Sequence, residues 1–312
     1  NVLNFALYTS GYLEDQFGGR EGMITAWNFI RVLLFGQTAH SAAVVFGQYP
    51  WMYYRAGGVQ EVYENKIPFS EAQLQKMCSV LQERWDWLAL YGIDYYLFFP
   101  PLKHTIYEEF LPNRIKKSNK ITKMDQLIEA INATTNVKVI ELRDVLLEAK
   151  NIENRPIYYY VDSHWNLLGA HHAYKKIVDV VNDDHPMVGK PSEKEDYYWY
   201  EMSSADGDLA SIISLNSYLL RSEIVPDPVN GYCADSIASI NYPTHESIHQ
   251  VQTRGVTGMD RKMPKLVMNR DSYSNFLIPY LAEHFERSVY LWTPVFNAEV
   301  IKAEMPDIFM TE

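Results

Sequence analysis

An α/β domain built around a parallel sheet is the fold the sequence predicts, and three observations predict it. Short apolar runs at residues 43–47, 93–99, 137–142, 157–161, 265–268 and 288–292 have the length and makeup of buried strands. Helical periodicity separates several of them, and repeated strand–helix–strand units favour a parallel sheet covered on both faces. Apolar residues form 47% of the 312, enough for a large core that needs no staple.

The elements follow from local chemistry. Ser70-Glu71-Ala72-Gln73 is a capping-box sequence, and Leu74, Cys78, Leu81, Trp85 and Leu88 follow it at helical spacing. Gly92 is the expected stop, because glycine enters the left-handed conformation that ends helices. Further helices are predicted at 123–132, 166–181 and 275–286. Residues 182–253 are rich in Ser, Asp, Tyr and Pro without a long period, and read as an irregular insertion. Length alone suggests about two units. Alternation through most of the chain favours one domain over residues 1–312 that carries this insertion.

Composition narrows the function. Acidic residues outnumber basic ones, 39 to 28, and the formal charge is −11. Nucleic-acid binding needs a basic footprint, so no nucleic-acid partner is expected. The longest apolar runs, 42–47 and 95–102, are too short to span a bilayer. Aromatic residues reach 14%, and such rings either fill a core or stack on sugars. Cys78 and Cys233 could pair, but Cys78 lies on an apolar helical stripe where a buried thiol is equally natural.

Two segments carry chemistry. In the first, an apolar strand runs into Asn269-Arg270-Asp271-Ser272, and a helix is predicted at once. Ser272 then sits at a strand's carboxyl end and a helix's amino end, where ligands bind in open α/β sheets. Its own N–H is placed to meet a developing oxyanion. A bland reading competes with this one: Asp271 and Ser272 merely cap the helix. In the second segment, a strand at 157–161 delivers Asp162 and His164, with a helix from about Asn166. Residues two apart in extended chain project to one side, so carboxylate and imidazole can pair.

Serine needs a base to be nucleophilic near neutral pH, and the base needs an orienting group. Asp162, His164 and Ser272 supply all three. A metal set of Asp162, His164, His171 and His172 is the weaker alternative, lacking the i, i+4 histidines of zinc helices. Without a Gly-x-Ser-x-Gly elbow, an ordinary α/β-hydrolase is disfavoured.

Taken together, these segments resemble the SGNH-like O-acetyltransferases of bacterial exopolysaccharides, of the AlgX/AlgJ, cellulose-acetylation and DHHW type. Residues 13–21 resemble the family's D-x-F-P-x-R segment, and 44–54 its G-k-x-G-W segment. Residues 92–107 resemble its P-n-K-x-x-x-Y segment. Asp162-Ser163-His164-Trp165 is similar to the D-x-H-W signature, and 270–285 to D-S-[FY]-x-x-x-L-x-P-[FY]-L.

The resemblance implies an SGNH-hydrolase-like three-layer fold with a permuted order of catalytic motifs. By it, Ser272 is the nucleophile, His164 the base and Asp162 the orienter. It also implies oxyanion or substrate contacts at Arg270, Tyr273, Trp165, Lys103, Tyr107 and Trp51, with Gly207 as a second oxyanion donor by analogy. The sequence departs from the family pattern at Arg270, Leu102 and Ser163.

No metal or other cofactor is expected; the acetyl group would come from a donor, by way of a membrane-bound O-acyltransferase partner. A polysaccharide acceptor and an extracytoplasmic location are expected, with any signal or anchor upstream of Asn1. Net charge and the aromatics Trp51, Tyr53, Tyr107, Trp165 and Tyr273 favour a neutral, cellulose-like polymer over a polyanion such as alginate. A basic groove of Lys103, Arg270 and Arg254 would reverse that preference. A carbohydrate acetylesterase with the same triad and a silent polysaccharide-binding scaffold are the rival readings.

Overall fold

The computed structural model describes residues 20–35, 42–236, 251–256 and 263–312. Most of the amino-terminal resemblance, residues 13–19, lies outside them. The described strands are β1 (Val44–Phe46), β2 (Met52–Tyr54), β3 (Asp94–Phe98), β4 (Lys138–Ile140), β5 (Tyr197–Ser204) and β6 (Arg221–Pro228). They continue with β7 (Ala234–Ser236), β8 (Val251–Val256), β9 (Lys265–Arg270), β10 (Arg287–Trp292) and β11 (Ile308–Thr311).

Seven strands form one sheet in the order β4-β3-β11-β9-β10-β8-β7. The five from β4 to β10 are parallel, and β8 and β7 add an antiparallel edge. Side chains alternate across this sheet, as the pleat requires. On one face Tyr95, Leu97, Val267, Val289, Leu291 and Phe309 pack with Cys78 and Leu88 of the helix Glu71–Ala89. Ile131 of the helix Lys123–Thr134 and Val300 of the helix Ala298–Glu304 complete that layer. On the other face Tyr96, Phe98, Leu266, Met268, Tyr290 and Met310 pack with the helices Arg143–Ile152 and Leu167–Asp184. The result is a three-layer α/β fold with helices on both faces of a mostly parallel sheet.

Local signals are realised where they are strongest. Ser70 and Gln73 form both halves of the capping box. Gly92 adopts φ +68°, beyond the end of the helix. The two cysteines are free, Cys78 buried and Cys233 exposed.

Four expectations need correction. The apolar run at 157–161 is not a strand; among the described residues its only ladder contact is the bridge between Tyr158 and Trp165. Its backbone is engaged elsewhere: Ile157 N–H donates to Tyr107 Oη, and the Tyr160 carbonyl accepts from Met52 N–H and Lys103 Nζ. The run at 43–47 does make a strand, but β1 pairs with β2 in a separate hairpin. The predicted helix at 275–286 breaks into the helix Ile278–Leu281 and a following 3-10 turn, Ala282–His284. Pro279 sits in the first turn of that short helix, where its missing N–H costs least. Finally, the described part of 182–253 is more regular than expected. β5 and β6 pair over eight residues, and a short helix, Asp208–Ile212, lies between them.

Candidate active site

Parallel strand β9 ends at Arg270, and the chain turns immediately. Asp271 accepts the Tyr273 N–H at its Oδ1 (2.8 Å), so Asp271 is the residue that caps the following 3-10 turn. Ser272 makes no capping bond, which frees its hydroxyl. The turn is held by the residue that follows β11: Glu312 Oε2 accepts from Asp271 N–H at 2.7 Å and from Ser274 Oγ at 2.6 Å. Burial first, then the Asp271 charge, pushes the Glu312 carboxyl well above the usual carboxylate range.

The second arm is a tight turn rather than a strand end. Ile157 O accepts the Asn166 N–H and Tyr159 N–H donates to His164 O, folding the chain back on itself. Asn166 then caps the helix Leu167–Asp184 through Gly169 N–H. This turn presents His164, whose Nε2 lies 2.7 Å from Ser272 Oγ. On the other side of the ring, Nδ1 lies 2.7 Å from Asp162 Oδ1, which also accepts the His164 N–H.

Charge in this array is ordered by its surroundings. Burial alone would raise the Asp162 pKa; bonds from His164 and the Arg221 guanidinium outweigh it and lower the carboxyl. Burial likewise works to lower His164, but the Asp162 hydrogen bond and the charges of Asp162, Asp208 and Asp271 leave it raised. Asp162 is thus held ionised and can orient the ring and stabilise an imidazolium. Such an array can make the serine hydroxyl nucleophilic.

The other expected contacts have different duties. Lys103 is 2% exposed and donates to the carbonyls of Met52, Tyr160 and Asp162 at 2.6–2.9 Å. Burial pushes its ammonium down to about 7 against the pull of Asp162 and Asp208. It is an internal strut under the His164 turn and cannot meet substrate. Arg270 is also buried, with Nη1 on Asp271 O and Asn275 Oδ1 and its guanidinium over the Trp292 ring. Arg254 on β8 is level with Leu266 at the start of β9, whereas Arg270 ends that strand, so the three do not line one groove.

Trp51, Tyr107 and Trp165 are all buried, as is Tyr53. Trp51 stacks on Tyr107 and Phe110, and Trp165 Nε1 donates to Tyr273 O. Tyr273 packs its ring against His164 and donates its hydroxyl to Ser163 O at 3.0 Å. Trp165 and Tyr273 lock the serine turn to the histidine turn, and burial leaves Tyr53, Tyr107 and Trp165 no open face for a sugar. At Gly207 a Cβ would stand 2.8 Å from Val161 O, so this glycine permits a close approach of two chain segments. His171 bonds Ser192 O and His172 bonds Glu153, so neither joins Asp162 and His164.

Two site residues were not legible beforehand. Arg221, on β6, reaches Asp162 Oδ2 at 3.2 Å, and Asp208 places its backbone N–H on the same oxygen at 3.2 Å. Both come from the 182–253 stretch, where no spacing pattern marks them.

The profile of the family described as SGNH hydrolase-like domain, acetyltransferase AlgX, matches residues 44–241, more than half of the chain. The chain belongs to this family. Asp162 and His164 fall inside the matched AlgX-type residues, and Ser272 lies beyond them. No curated protein gives a significant match by sequence. Solved structures share the AlgX-type fold. PatB1 of Bacillus cereus aligns at TM-score 0.58 and 14% identity, over 86% of this chain and 95% of that one. A DHHW family protein from Eubacterium siraeum aligns at TM-score 0.57 and 16% identity, over 78% and 84%. The O-acetyltransferase domain of Pseudomonas putida AlgJ aligns at 0.54 and 17%, over 86% and 89%.

Proposed function

We propose that this AlgX-type protein is an O-acetyltransferase that places acetyl groups on hydroxyls of a secreted polysaccharide through an acetyl-Ser272 intermediate. The observation that carries the reading is the hydrogen-bonded line from Asp162 through His164 to Ser272, 2.7 Å at each step. In the first half-reaction Ser272 Oγ attacks the acetyl carbonyl while His164 Nε2 takes its proton. The proton then leaves with the donor's departing group as that bond breaks. In the second half, His164 takes a proton from a sugar hydroxyl, whose oxygen attacks the acetyl carbon. Ser272 leaves and recovers its proton. The Ser272 N–H is the proposed first donor to the oxyanion in both halves.

The reaction as written uses no metal or nucleotide. The proposed acetyl source is a membrane-bound acyltransferase acting outside the cytoplasm, where a secreted polymer is modified. Among the described residues no helix is long and apolar enough to cross a membrane.

A neutral polymer is the proposed acceptor. The acidic groups Asp162, Asp208 and Asp271 surround the site, and Lys103 and Arg270 are spent internally. Beside this turn a cavity of about 390 Å³ is lined by Tyr49, Trp51, Tyr160, Val161, Tyr218 and Leu220. Two of its lining residues, Val161 and Leu220, are the chain neighbours of Asp162 and Arg221. Tyr49 and Tyr218 are exposed there and suit the apolar faces of sugar rings.

The deciding experiment incubates the protein with an activated acetyl ester and weighs it intact. An acetyl adduct that forms on wild type and is absent from Ser272→Ala is expected. An adduct that survives this substitution overturns the assignment. Adding cello-oligosaccharides should then convert the adduct to acetylated sugar faster than water releases acetate. Release to water alone would mark an esterase.

A further inference from the structure

We propose that Asp208 is a positioning residue that shares with Asp162 the task of orienting and charge-stabilising the His164 ring. The inference rests on the triad reading above and adds a second carboxylate to it.

His164 Nδ1 faces two carboxylates, Asp162 Oδ1 at 2.7 Å and Asp208 Oδ2 at 3.7 Å. The nearer one forms the hydrogen bond, and the farther one acts through charge. Ser163 ties Asp208 to the histidine turn: its N–H donates to Asp208 Oδ1 at 2.8 Å, and its Oγ donates to Asp208 Oδ2 at 2.5 Å. The same Oγ lies 3.3 Å from His164 Nδ1. In return, the Asp208 backbone N–H reaches Asp162 Oδ2. The histidine turn and the helix Asp208–Ile212 therefore clasp each other through the side chains of Ser163, Asp208 and Asp162 and two backbone N–H groups.

This clasp is reachable because Gly207 lets its segment lie against the Val161 carbonyl, and Val161 O accepts the Ala210 N–H. Two carboxylates this close repel, and the fold answers with a cation. Arg221 bonds Asp162 Oδ2 and continues to Glu223. Among the described residues, the other charged or titratable groups facing His164 and its partners include Asp271, Lys103, Tyr273 and Tyr159. Asp208 is also pushed upward by burial and by the Asp162 charge, the mark of a carboxylate forced close to another. When His164 accepts the serine proton, the new positive charge lies between two negative groups rather than beside one. A carboxylate that merely pinned Ser163 would leave the titration of His164 unchanged.

The test separates these roles without needing acetyl transfer. A sulfonyl fluoride is used as probe: the Ser272 Oγ–S bond forms, the S–F bond breaks, fluoride leaves and His164 takes the serine proton. The labelling rate is followed by intact mass against pH for wild type, Asp208→Asn, Asp208→Glu, Asp162→Asn and the Asp162→Asn/Asp208→Asn pair. Asn keeps the acceptor for Ser163 N–H, and Asp208→Ser takes its place should the Asn protein fail to fold.

In Asp208→Asn the rate should rise with pH around an inflection about one unit below wild type, since one unit is a tenfold change in the imidazole equilibrium. Asp208→Glu should restore the inflection most of the way. Asp162→Asn should label slowly, and the pair about tenfold more slowly still. An unmoved inflection in Asp208→Asn, or a pair no slower than Asp162→Asn, overturns the role of Asp208 alone. A wild type that is never labelled at Ser272 overturns the triad reading and this inference with it.

Discussion

His164 Nε2 stands 2.7 Å from Ser272 Oγ although 108 residues separate them in the chain. One comes from a tight turn before the helix Leu167–Asp184, the other from the end of β9. Tyr273 joins the two arms, with its ring on His164 and its hydroxyl on Ser163 O.

Removing either end of that pair should stop acylation. Ser272→Ala and His164→Ala should each lower the acylation rate by roughly 10⁴-fold or more, as in serine triads generally. Asp162→Asn should cost less, because Asp162 orients and stabilises the base rather than moving the proton. Stopped-flow release of a chromogenic leaving group measures all three. An Asp162 variant slower than the His164 variant would contradict the roles given.

The pH profile of kcat/KM follows from the raised His164 pKa. The ring must be neutral to take a proton, so activity should climb with pH around an inflection above the ordinary imidazole value of about 6.5. Initial rates over a pH series check this. An inflection below that value would mean that desolvation outweighs the carboxylates.

Lys103→Met should act on stability before chemistry. It strands the buried carbonyls of Met52 and Asp162 and leaves Tyr160 O with the Met52 N–H alone, while the methionine keeps the volume. A loss of roughly 3 kcal/mol is expected in urea unfolding, because each unpaired buried acceptor costs about 1–3 kcal/mol and some desolvation cost is recovered. A direct substrate contact would instead raise KM without changing the urea midpoint.

Tyr49→Ala and Tyr218→Ala address the acceptor. Both rings are exposed at the cavity proposed to hold the acceptor, so their loss should raise the acceptor KM by roughly threefold to tenfold, the worth of an aromatic contact of about 0.5–1.5 kcal/mol. Acetylation of Ser272 by a small ester should be unaffected. Transfer to cello-oligosaccharides should exceed transfer to uronate oligomers and depend little on salt. A uronate preference that fades as ionic strength rises would reverse the argument from charge.

The sequence by itself determined the layered fold and singled out Asp162, His164 and Ser272 as the candidate triad. Strand-length apolar runs, the Ser70 capping box and the carboxylate–imidazole spacing are local signals, encoded within a few residues. Only the tertiary structure decided what those residues meet. Lys103, Trp51, Tyr107 and Trp165 have the chemistry of substrate contacts, yet the packing of the histidine turn buries them all. The run at 157–161 has strand composition, but its backbone partners are Tyr107, Lys103 and Met52, so it stays irregular. Asp208 and Arg221 come from a stretch without periodicity and reach Asp162 through contacts 46 and 59 residues apart. No local pattern encodes such contacts, because they depend on where the sheet and the close approach at Gly207 carry each segment in space.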